Sequence, residues 1–117
     1  MSQSLLVIKN SGSSSVESVQ PSKTSVGDLV ALQGVVQDQS TASSEVNIGI
    51  WESSPGRFTR NVKDKEFSHI ISGACTFTPK DGEKIELHAG DAIYFPENTE
   101  GEWEIKETLK KTYIIFK

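Results

Sequence analysis

The stretch HAGDAIYFPENTEGEWEI, residues 88–105, alternates turn-forming residues with short apolar runs. Residues 89–91 have the composition of a turn, 92–95 form an apolar run of strand length, and Pro96 interrupts that run. A polar loop then leads into a second short run over 102–105. Short strands separated by glycine, proline and asparagine are typical of an all-β sandwich or barrel.

Short strands and turns continue through the second half of the chain. From 46 to 51, apolar residues alternate with residues of other kinds, as they do on a strand with one buried face. The tripeptide 80–82 predicts a turn in which Gly82 takes a positive φ. Glu104–Lys111 allows one short helical turn at most. Further strands are predicted over 66–73, 74–79, 83–88 and 111–116.

The first third of the chain differs from the rest in composition. Residues 10–25 are rich in serine and contain glycine and proline, which predicts a long exposed connection. One strand is predicted before this connection, at Leu5–Ile8, and another after it, at Asp28–Val36. The chain is therefore expected to consist of an N-terminal arm over 1–27 and a single barrel domain over 28–117.

The composition is that of one soluble globular domain. The chain has 117 residues, of which 35% are hydrophobic and 24% are charged, with a net charge of -4. Because it has no basic run, neither nucleic acid nor an anionic membrane surface is expected as a partner. The apolar stretch 5–8 is too short for a membrane helix or a signal-peptide core, so a cytoplasmic location is expected. The single cysteine, Cys75, excludes an internal disulfide and a cysteine zinc cluster.

Four segments, in this order, resemble the cupin superfamily: GIWESSPGRF (49–58), EFSHIISGACTFTPKDGE (66–83), LHAGDAIYFPENTEGEWEI (87–105) and KKTYIIF (110–116). They are most similar to the small single-domain cupins of the ureidoglycine aminohydrolase-like and ethanolamine-utilisation-like group. The resemblance covers residues 45–117 and implies an all-β fold, a cupin-type jelly-roll β-barrel with an N-terminal arm. It also implies a role in small-molecule metabolism.

The resemblance further implies a metal site, for which this chain supplies few ligands. In cupins, two histidines, a glutamate and a later histidine hold a divalent transition metal in the barrel mouth. Glu66 matches the glutamate, but Gly101 replaces the later histidine and Asn98 replaces a motif glycine. The two paired histidines fall on Arg60 and Val62, or on Thr59 and Asn61 with the alternative spacing. Since one carboxylate does not hold a transition metal, no metal and no cofactor are expected.

The two histidines of the chain lie elsewhere. His69 follows Glu66 by three residues, which places the two side chains on opposite faces of a regular strand. His88 lies at a strand end, just before a turn. A metal site built from Glu66, His69 and His88 would require a β-bulge, and it stays open as an alternative.

Polar and aromatic side chains are expected to line the barrel mouth instead. Arg60 and Glu66 are expected to form an ion pair across neighbouring strands, and such a pair can bind a carboxylate or an amino group. Lys110 and Lys111 are expected on a charged surface. The candidate ligand-binding residues are Trp51, Arg60, Glu66, Ser68, Tyr94, Trp103 and Tyr113.

These residues predict a small cupin that binds a small polar metabolite in its barrel mouth without a bound metal. No catalytic residue is assigned. Two alternatives stay open, namely a non-catalytic dimeric cupin module and a metal-dependent enzyme with an atypical ligand set. A homodimer is expected because the apolar segment Leu5–Ile8 has the composition of a strand that can pair with the sheet edge of a second copy. If the segment folds back on its own barrel, the protein is instead a monomer.

Overall fold

A computed structural model describes residues 5–8, 19–40 and 45–117. Within this part of the chain the regular structure is entirely strand, so the all-β prediction is confirmed. The same residues contain no helix that could span a membrane. The strands are β1 (Gln20–Pro21), β2 (Ser25–Val26), β3 (Leu32–Ser40), β4 (Val46–Ser53), β5 (Gly56–Val62), β6 (Lys65–Pro79), β7 (Ile85–His88), β8 (Ala92–Phe95) and β9 (Thr99–Phe116).

All nine of these strands belong to one antiparallel sheet that curls into two facing layers. Strands β6 and β9 pair along nearly their whole length and run through both layers. The front layer contains β1, β3, β4, the C-terminal half of β9, the N-terminal half of β6, and β8. The back layer contains β2, β5, β7 and the other halves of β6 and β9. This arrangement is the jelly-roll barrel that the resemblance to cupins implies.

The long ribbon of β6 and β9 bends where it passes from one layer to the other. The pairing register shifts between Ile70 and Cys75, and Gly73 in between has a φ of 95°. A Cβ atom at Gly73 would lie 2.2 Å from the carbonyl oxygen of Thr108. Glycine is therefore required here, both for the left-handed backbone and for the close approach of β9.

The hydrophobic core fills the space between the two layers. Aromatic rings from both layers meet there, with Phe77 and Phe95 5.2 Å apart and Phe77 and Trp103 5.0 Å apart between ring centroids. The ring centroid of Trp51 in the front layer lies 6.1 Å from that of Phe58 in the back layer. The buried core residues are Ala31, Phe58, Val62, Ile70, Cys75, Phe77, Leu87, Phe95, Trp103, Ile105 and Leu109.

Several strand predictions need correction. The predicted strands 66–73 and 74–79 are one strand, because Gly73 bends β6 without ending it. The helical turn predicted at Glu104–Lys111 is wrong, since these residues lie within β9 and pair with β6. Long-range pairing overrides the weak local preference of such a charged segment.

Two N-terminal strand predictions and one turn prediction also differ from the structure. Leu5–Ile8 is not a strand, although the carbonyl of Val7 accepts a 2.7 Å hydrogen bond from Nε2 of Gln39. The strand predicted at Asp28–Val36 begins later, at Leu32, and continues to Ser40. Gly82 does not take a positive φ, whereas Gly90, in the next turn, has a φ of 96°.

Candidate functional site

The inner surface of the front layer carries a cluster of polar side chains beside its apolar ones, and this cluster is the candidate site. Glu66 and Ser68 of β6 are both buried there. Strand β9 adds Lys111 and Tyr113, and Tyr113 lies directly opposite Ser68 in the pairing register. Because side chains alternate along a strand, residues two apart on β6 and β9 share this inner face.

Glu66 is held by three neighbours. Oε2 of Glu66 accepts a 2.8 Å hydrogen bond from Nζ of Lys111 and a second of 2.8 Å from Oγ of Ser68. Oε1 lies 3.6 Å from a guanidinium nitrogen of Arg60. Arg60 reaches Glu66 from β5 in the facing layer, so the contact runs between layers and not between neighbouring strands as the sequence predicts.

Lys111 is the site residue that the sequence analysis missed. Its side chain is only 3% exposed, so the prediction that it lies on a charged surface is wrong, and Lys110 is also buried. The ammonium nitrogen of Lys111 lies 5.1–5.7 Å from the ring centroids of three aromatic residues, Trp51, Phe95 and Trp103. These rings provide cation–π contacts on the sides that Glu66 leaves open.

Burial and charge pairing act in opposite directions on these groups. Burial by itself raises the pKa of Glu66, but the ammonium of Lys111 and the guanidinium of Arg60 outweigh it and hold this pKa below its usual value. Burial lowers the pKa of Lys111, and the carboxylate of Glu66 opposes that effect. We take the pair as ionised, because the carboxylate with the lowered pKa lies at hydrogen-bonding distance from the ammonium.

An acid titration tests this assignment. Because the native pKa of Glu66 is lowered, its contribution to stability is present above the ordinary value of 4.5 and is lost as the pH falls through the native pKa. We expect the free energy of unfolding of the wild type to fall more steeply below pH 4.5 than that of Glu66→Gln. Urea unfolding of both proteins across this range measures the difference. If the free energies of unfolding of the two proteins change with pH in the same way, the neighbours of Glu66 do not lower its pKa.

Tyr113 and Asp38 extend the polar surface away from Glu66. The hydroxyl of Tyr113 donates a hydrogen bond to the carboxylate of Asp38 on β3. Burial, followed by this hydrogen bond, raises the pKa of Tyr113. Asn47 of β4 and Glu66 of β6 lie on either side of Ile115 of β9, which pairs with both. The buried Oδ1 of Asn47 has no hydrogen-bond partner among the described residues. A buried acceptor of this kind is normally satisfied by water or by a ligand.

The predicted lining residues divide into three groups. Arg60, Glu66, Ser68 and Tyr113 contribute to the polar inner surface described above. Trp51 and Trp103 contact Lys111, and Trp103 is otherwise a core residue that is 1% exposed. Tyr94 is wrong as a lining residue, because it lies on the outer face of β8 opposite Phe67 and is 52% exposed.

The residues at the family's metal positions do not fit a metal. Arg60 lies directly opposite Gly101 in the pairing of β5 and β9, so two of the family's metal-ligand positions are adjacent. The first carries a guanidinium and the second carries no side chain. A Cβ atom at Gly101 would lie 2.4 Å from the ring of Phe77 and 2.6 Å from the carbonyl oxygen of Thr78. The space for a histidine is therefore filled, and Glu66 is already paired with two cations.

Neither histidine compensates for this loss. His69 lies on the exposed face of β6, opposite Ala92, whereas Glu66 is buried on the other face. His88 lies at the end of β7, where its Nδ1 is 3.8 Å from the carboxylate of Asp91. Over 5–8, 19–40 and 45–117, no group of three histidine, cysteine or acidic side chains is arranged to hold a metal ion.

Asn98 lies where the family motif has a glycine, and its backbone conformation explains why an asparagine can replace that glycine. Asn98 has a φ of 60°, in the left-handed region. Asparagine is among the few residues other than glycine that adopt this conformation readily. An asparagine can therefore take the left-handed conformation that the turn between β8 and β9 has at this position.

A groove of about 590 Å³ lies on the outer side of the back layer. Its residues include Thr59, Asn61, Glu100 and Glu102, which face away from the core because Phe58, Val62 and Trp103 on the same strands face inward. Arg60 and Gly101 also line the groove, and Arg60 reaches Glu66 on the other side of the sheet, so this residue is shared by the groove and the barrel interior. We place the candidate site inside the barrel, where the buried charges are.

The comparisons with known proteins agree with this architecture. Residues 40–113 match the family model described as EutQ-like cupin domain. The Clostridium difficile EutQ structure is 17% identical and has a TM-score of 0.64, over 74% of this chain and 68% of that one. A putative ethanolamine utilization protein Q from Salmonella typhimurium is 17% identical with a TM-score of 0.63, over 85% of this chain and 97% of that one.

A DUF861 family protein from Thermotoga maritima is more similar in sequence. It is 30% identical with a TM-score of 0.56, over 57% of this chain and 76% of that chain. No curated protein sequence matches this chain. The family match covers more than half of the 117 residues. The chain therefore belongs to the EutQ-like cupin domain family.

Proposed function

We propose that this cupin binds a small carboxylic acid, bearing a hydroxyl or amino group, inside the barrel mouth without a metal. The observation that carries the proposal is the charge balance around Glu66. Two cations, Arg60 and Lys111, lie beside this one carboxylate, so one positive charge is in excess next to Glu66, whereas the carboxylate of Asp38 lies farther along the surface, beyond Tyr113. In a metal-dependent cupin a metal ion would supply positive charge at this place, and here the protein's own side chains supply it.

Arg60 is the residue that can present this charge to a ligand. Its side chain is 35% exposed, whereas Lys111 is sealed among aromatic rings. A guanidinium offers several N–H donors in one plane and so can bind Glu66 and a ligand carboxylate together. The excess positive charge favours an anionic ligand over an amine without a carboxylate.

The other end of the ligand is expected to carry a hydrogen-bond donor. The unpartnered Oδ1 of Asn47 and the carboxylate of Asp38 are both acceptors on the same polar surface. Asn47 and Glu66 are two strand spacings apart, or about 10 Å, which is a distance that a small molecule and one water can span. A hydroxyl or amino group on the ligand would satisfy these acceptors.

Calorimetric titration with three probes tests the proposal. We expect glycolate to bind more tightly than acetate, because it adds a hydroxyl donor, and ethanolamine not to bind, because it lacks the carboxylate. Arg60→Met is expected to weaken glycolate binding at least about tenfold, since a charge-assisted bond is lost. Dialysis against EDTA is expected to leave the affinity unchanged.

A matched control is available on the same strand. Arg57 lies three residues before Arg60 and forms an exposed ion pair with Glu102, 3.1 Å away, on the outer face. Arg57→Met should therefore bind glycolate as the wild type does. Equal weakening by both substitutions, or binding that disappears with EDTA and returns with a transition metal, would contradict the proposal.

The ethanolamine-related names of two structural neighbours do not determine the ligand of this chain. At 17% identity these proteins share its fold, and the positive excess near Glu66 disfavours a simple amine. A cytoplasmic location is part of the same proposal. It is supported by Cys75, a free and buried thiol of the kind that reducing compartments preserve.

A further inference from the structure

The polar inner surface of the front layer ends in an exposed carboxylate, that of Asp38. Asp38 on β3 lies opposite Gly49 on β4, and Gly49 lies opposite Tyr113 on β9. Because Gly49 has no side chain, the hydroxyl of Tyr113 can reach across β4 and donate to Asp38. Over 5–8, 19–40 and 45–117, no lysine, arginine or histidine lies at ion-pair distance from Asp38. The negative charge of Asp38 is therefore open to a ligand.

Tyr113 connects Asp38 with the Glu66 end of the same surface. Burial raises the pKa of Tyr113 first, its hydrogen bond and the charge of Asp38 follow, and the charge of Glu66 adds to them. The guanidinium of Arg60 acts in the opposite direction. All three charged side chains thus act on one hydroxyl, so they belong to a single polar surface. With its raised pKa, Tyr113 stays protonated at neutral pH, and its oxygen keeps lone pairs that can accept further hydrogen bonds.

The two ends of this surface carry opposite charges. At the Glu66 end, Arg60 and Lys111 leave one positive charge in excess. At the other end, Asp38 supplies one negative charge. The four side chains are neutral together, but their charge is separated along the surface. A ligand with a carboxylate at one end and an ammonium at the other is complementary to this separation, whereas a simple anion would leave Asp38 without a cation.

The Asp38 end also offers three hydrogen-bond acceptors. They are the carboxylate of Asp38, the oxygen of Tyr113 and Oδ1 of Asn47. Asn47 precedes Gly49 by two residues on β4, so its side chain lies on the same inner face. Its Oδ1 is buried and has no partner within the described part of the chain. An ammonium group has three N–H donors for these acceptors, whereas a hydroxyl group has one.

We propose that the ligand is an amino acid whose carboxylate binds Arg60 and whose ammonium binds between Asp38 and Asn47. The inference rests on the proposed function and narrows its ligand from hydroxy or amino acids to amino acids. It assigns Asp38 as the residue that determines this specificity, with Tyr113 holding its carboxylate in place.

The spacing of the two ends indicates which amino acids fit. Asn47 and Glu66 are two strand spacings apart, or about 10 Å. Subtracting a hydrogen bond of about 3 Å at each end leaves about 4 Å for the ligand between its two charged groups. In an α-amino acid a single carbon separates these groups, which is too short. A β-amino acid, with one more methylene, fits the distance better.

Calorimetric titration with β-alanine and 3-hydroxypropionate tests the proposal at neutral pH. The two probes have the same carboxylate and chain length, and they differ in an ammonium against a hydroxyl. We expect the wild type to bind β-alanine at least about tenfold more tightly, because its bond to Asp38 joins two charged groups. Asp38→Asn keeps the size of the side chain but removes its charge, so this variant should lose the preference for β-alanine.

Asp81→Asn is the matched control. Asp81 is exposed in the turn between β6 and β7, so the same change of net charge at this position should leave the preference intact. Circular dichroism establishes that each variant is folded. Tyr113→Phe, which removes the hydroxyl that holds Asp38, should also reduce the preference, and it decides the result if Asp38→Asn does not fold.

Equal affinities of the wild type for the two probes would overturn the proposal, as would a preference for β-alanine that persists in folded Asp38→Asn. In either case, glycolate binding that depends on Arg60 would still support the proposed function. If the wild type binds neither glycolate nor the two probes, the proposed function and this inference are both wrong.

Discussion

Replacing Lys111 by methionine is expected to lower the free energy of unfolding at neutral pH by about 3–5 kcal/mol. The substitution preserves most of the apolar volume among the three aromatic rings but removes the cation that donates to Glu66 at 2.8 Å. The carboxylate then stays buried with the more distant guanidinium of Arg60 as its remaining cation. Urea unfolding followed by tryptophan fluorescence measures the change.

Two controls separate this effect from a general loss of lysine charge. Lys80→Met removes an exposed ion pair with Glu100, 3.4 Å away, and is expected to be nearly neutral. The double variant Lys111→Met, Glu66→Leu removes both buried charges, and it should be more stable than Lys111→Met alone. Additive losses in the double variant would show that the two side chains do not depend on one another.

Gly101→His, which restores the family's histidine, is expected to destabilise the fold by about 3 kcal/mol or more and not to create a metal site. The new Cβ would overlap the ring of Phe77 and, at 2.6 Å, the carbonyl oxygen of Thr78. Phe77 is in the core and is 1% exposed, so its ring has little room to move. Thermal unfolding with and without added Zn²⁺ measures both parts of this expectation.

Gly82→Ala is the matched control for Gly101. Its Cβ would meet the side chain of Pro79 at 3.2 Å in an exposed turn, and no positive φ is required there. We expect a change of less than about 1 kcal/mol for this control. A folded Gly101→His protein that gains stability with Zn²⁺ would show that the barrel still accepts a metal and would count against the metal-free site.

Most of the fold could be predicted from local patterns. The alternation over 46–51 and the turn residues around Gly90 and Pro96 identified strands that the structure confirms as β4 and β8. These signals are local, because a strand's two faces follow from a repeat of two residues. The predictions failed at Gly73 and over Glu104–Lys111, where the structure depends on the pairing of two long strands, β6 and β9.

Part of the candidate site could also be predicted, because strand alternation is a local signal. Strand alternation alone placed Glu66 and His69 on opposite faces, and the structure agrees. Alternation could also have connected Lys111 with Tyr113, since both lie on the inner face of β9. It was the charged neighbourhood of Lys111 that suggested a solvated surface.

The sequence by itself determined an all-β fold, because strand periodicity and turn residues are local properties. That the chain is a cupin without its family's histidine ligands followed from the resemblance of four segments to that family. Only the tertiary structure decided which charges meet. Arg60, Glu66 and Lys111 come from three strands, and Glu66 and Lys111 are 45 residues apart. Whether a lysine is solvated or buried depends on the aromatic rings that the fold brings around it. A lysine that has lost its water needs an opposite charge nearby to stay ionised, and Glu66 supplies that charge to Lys111.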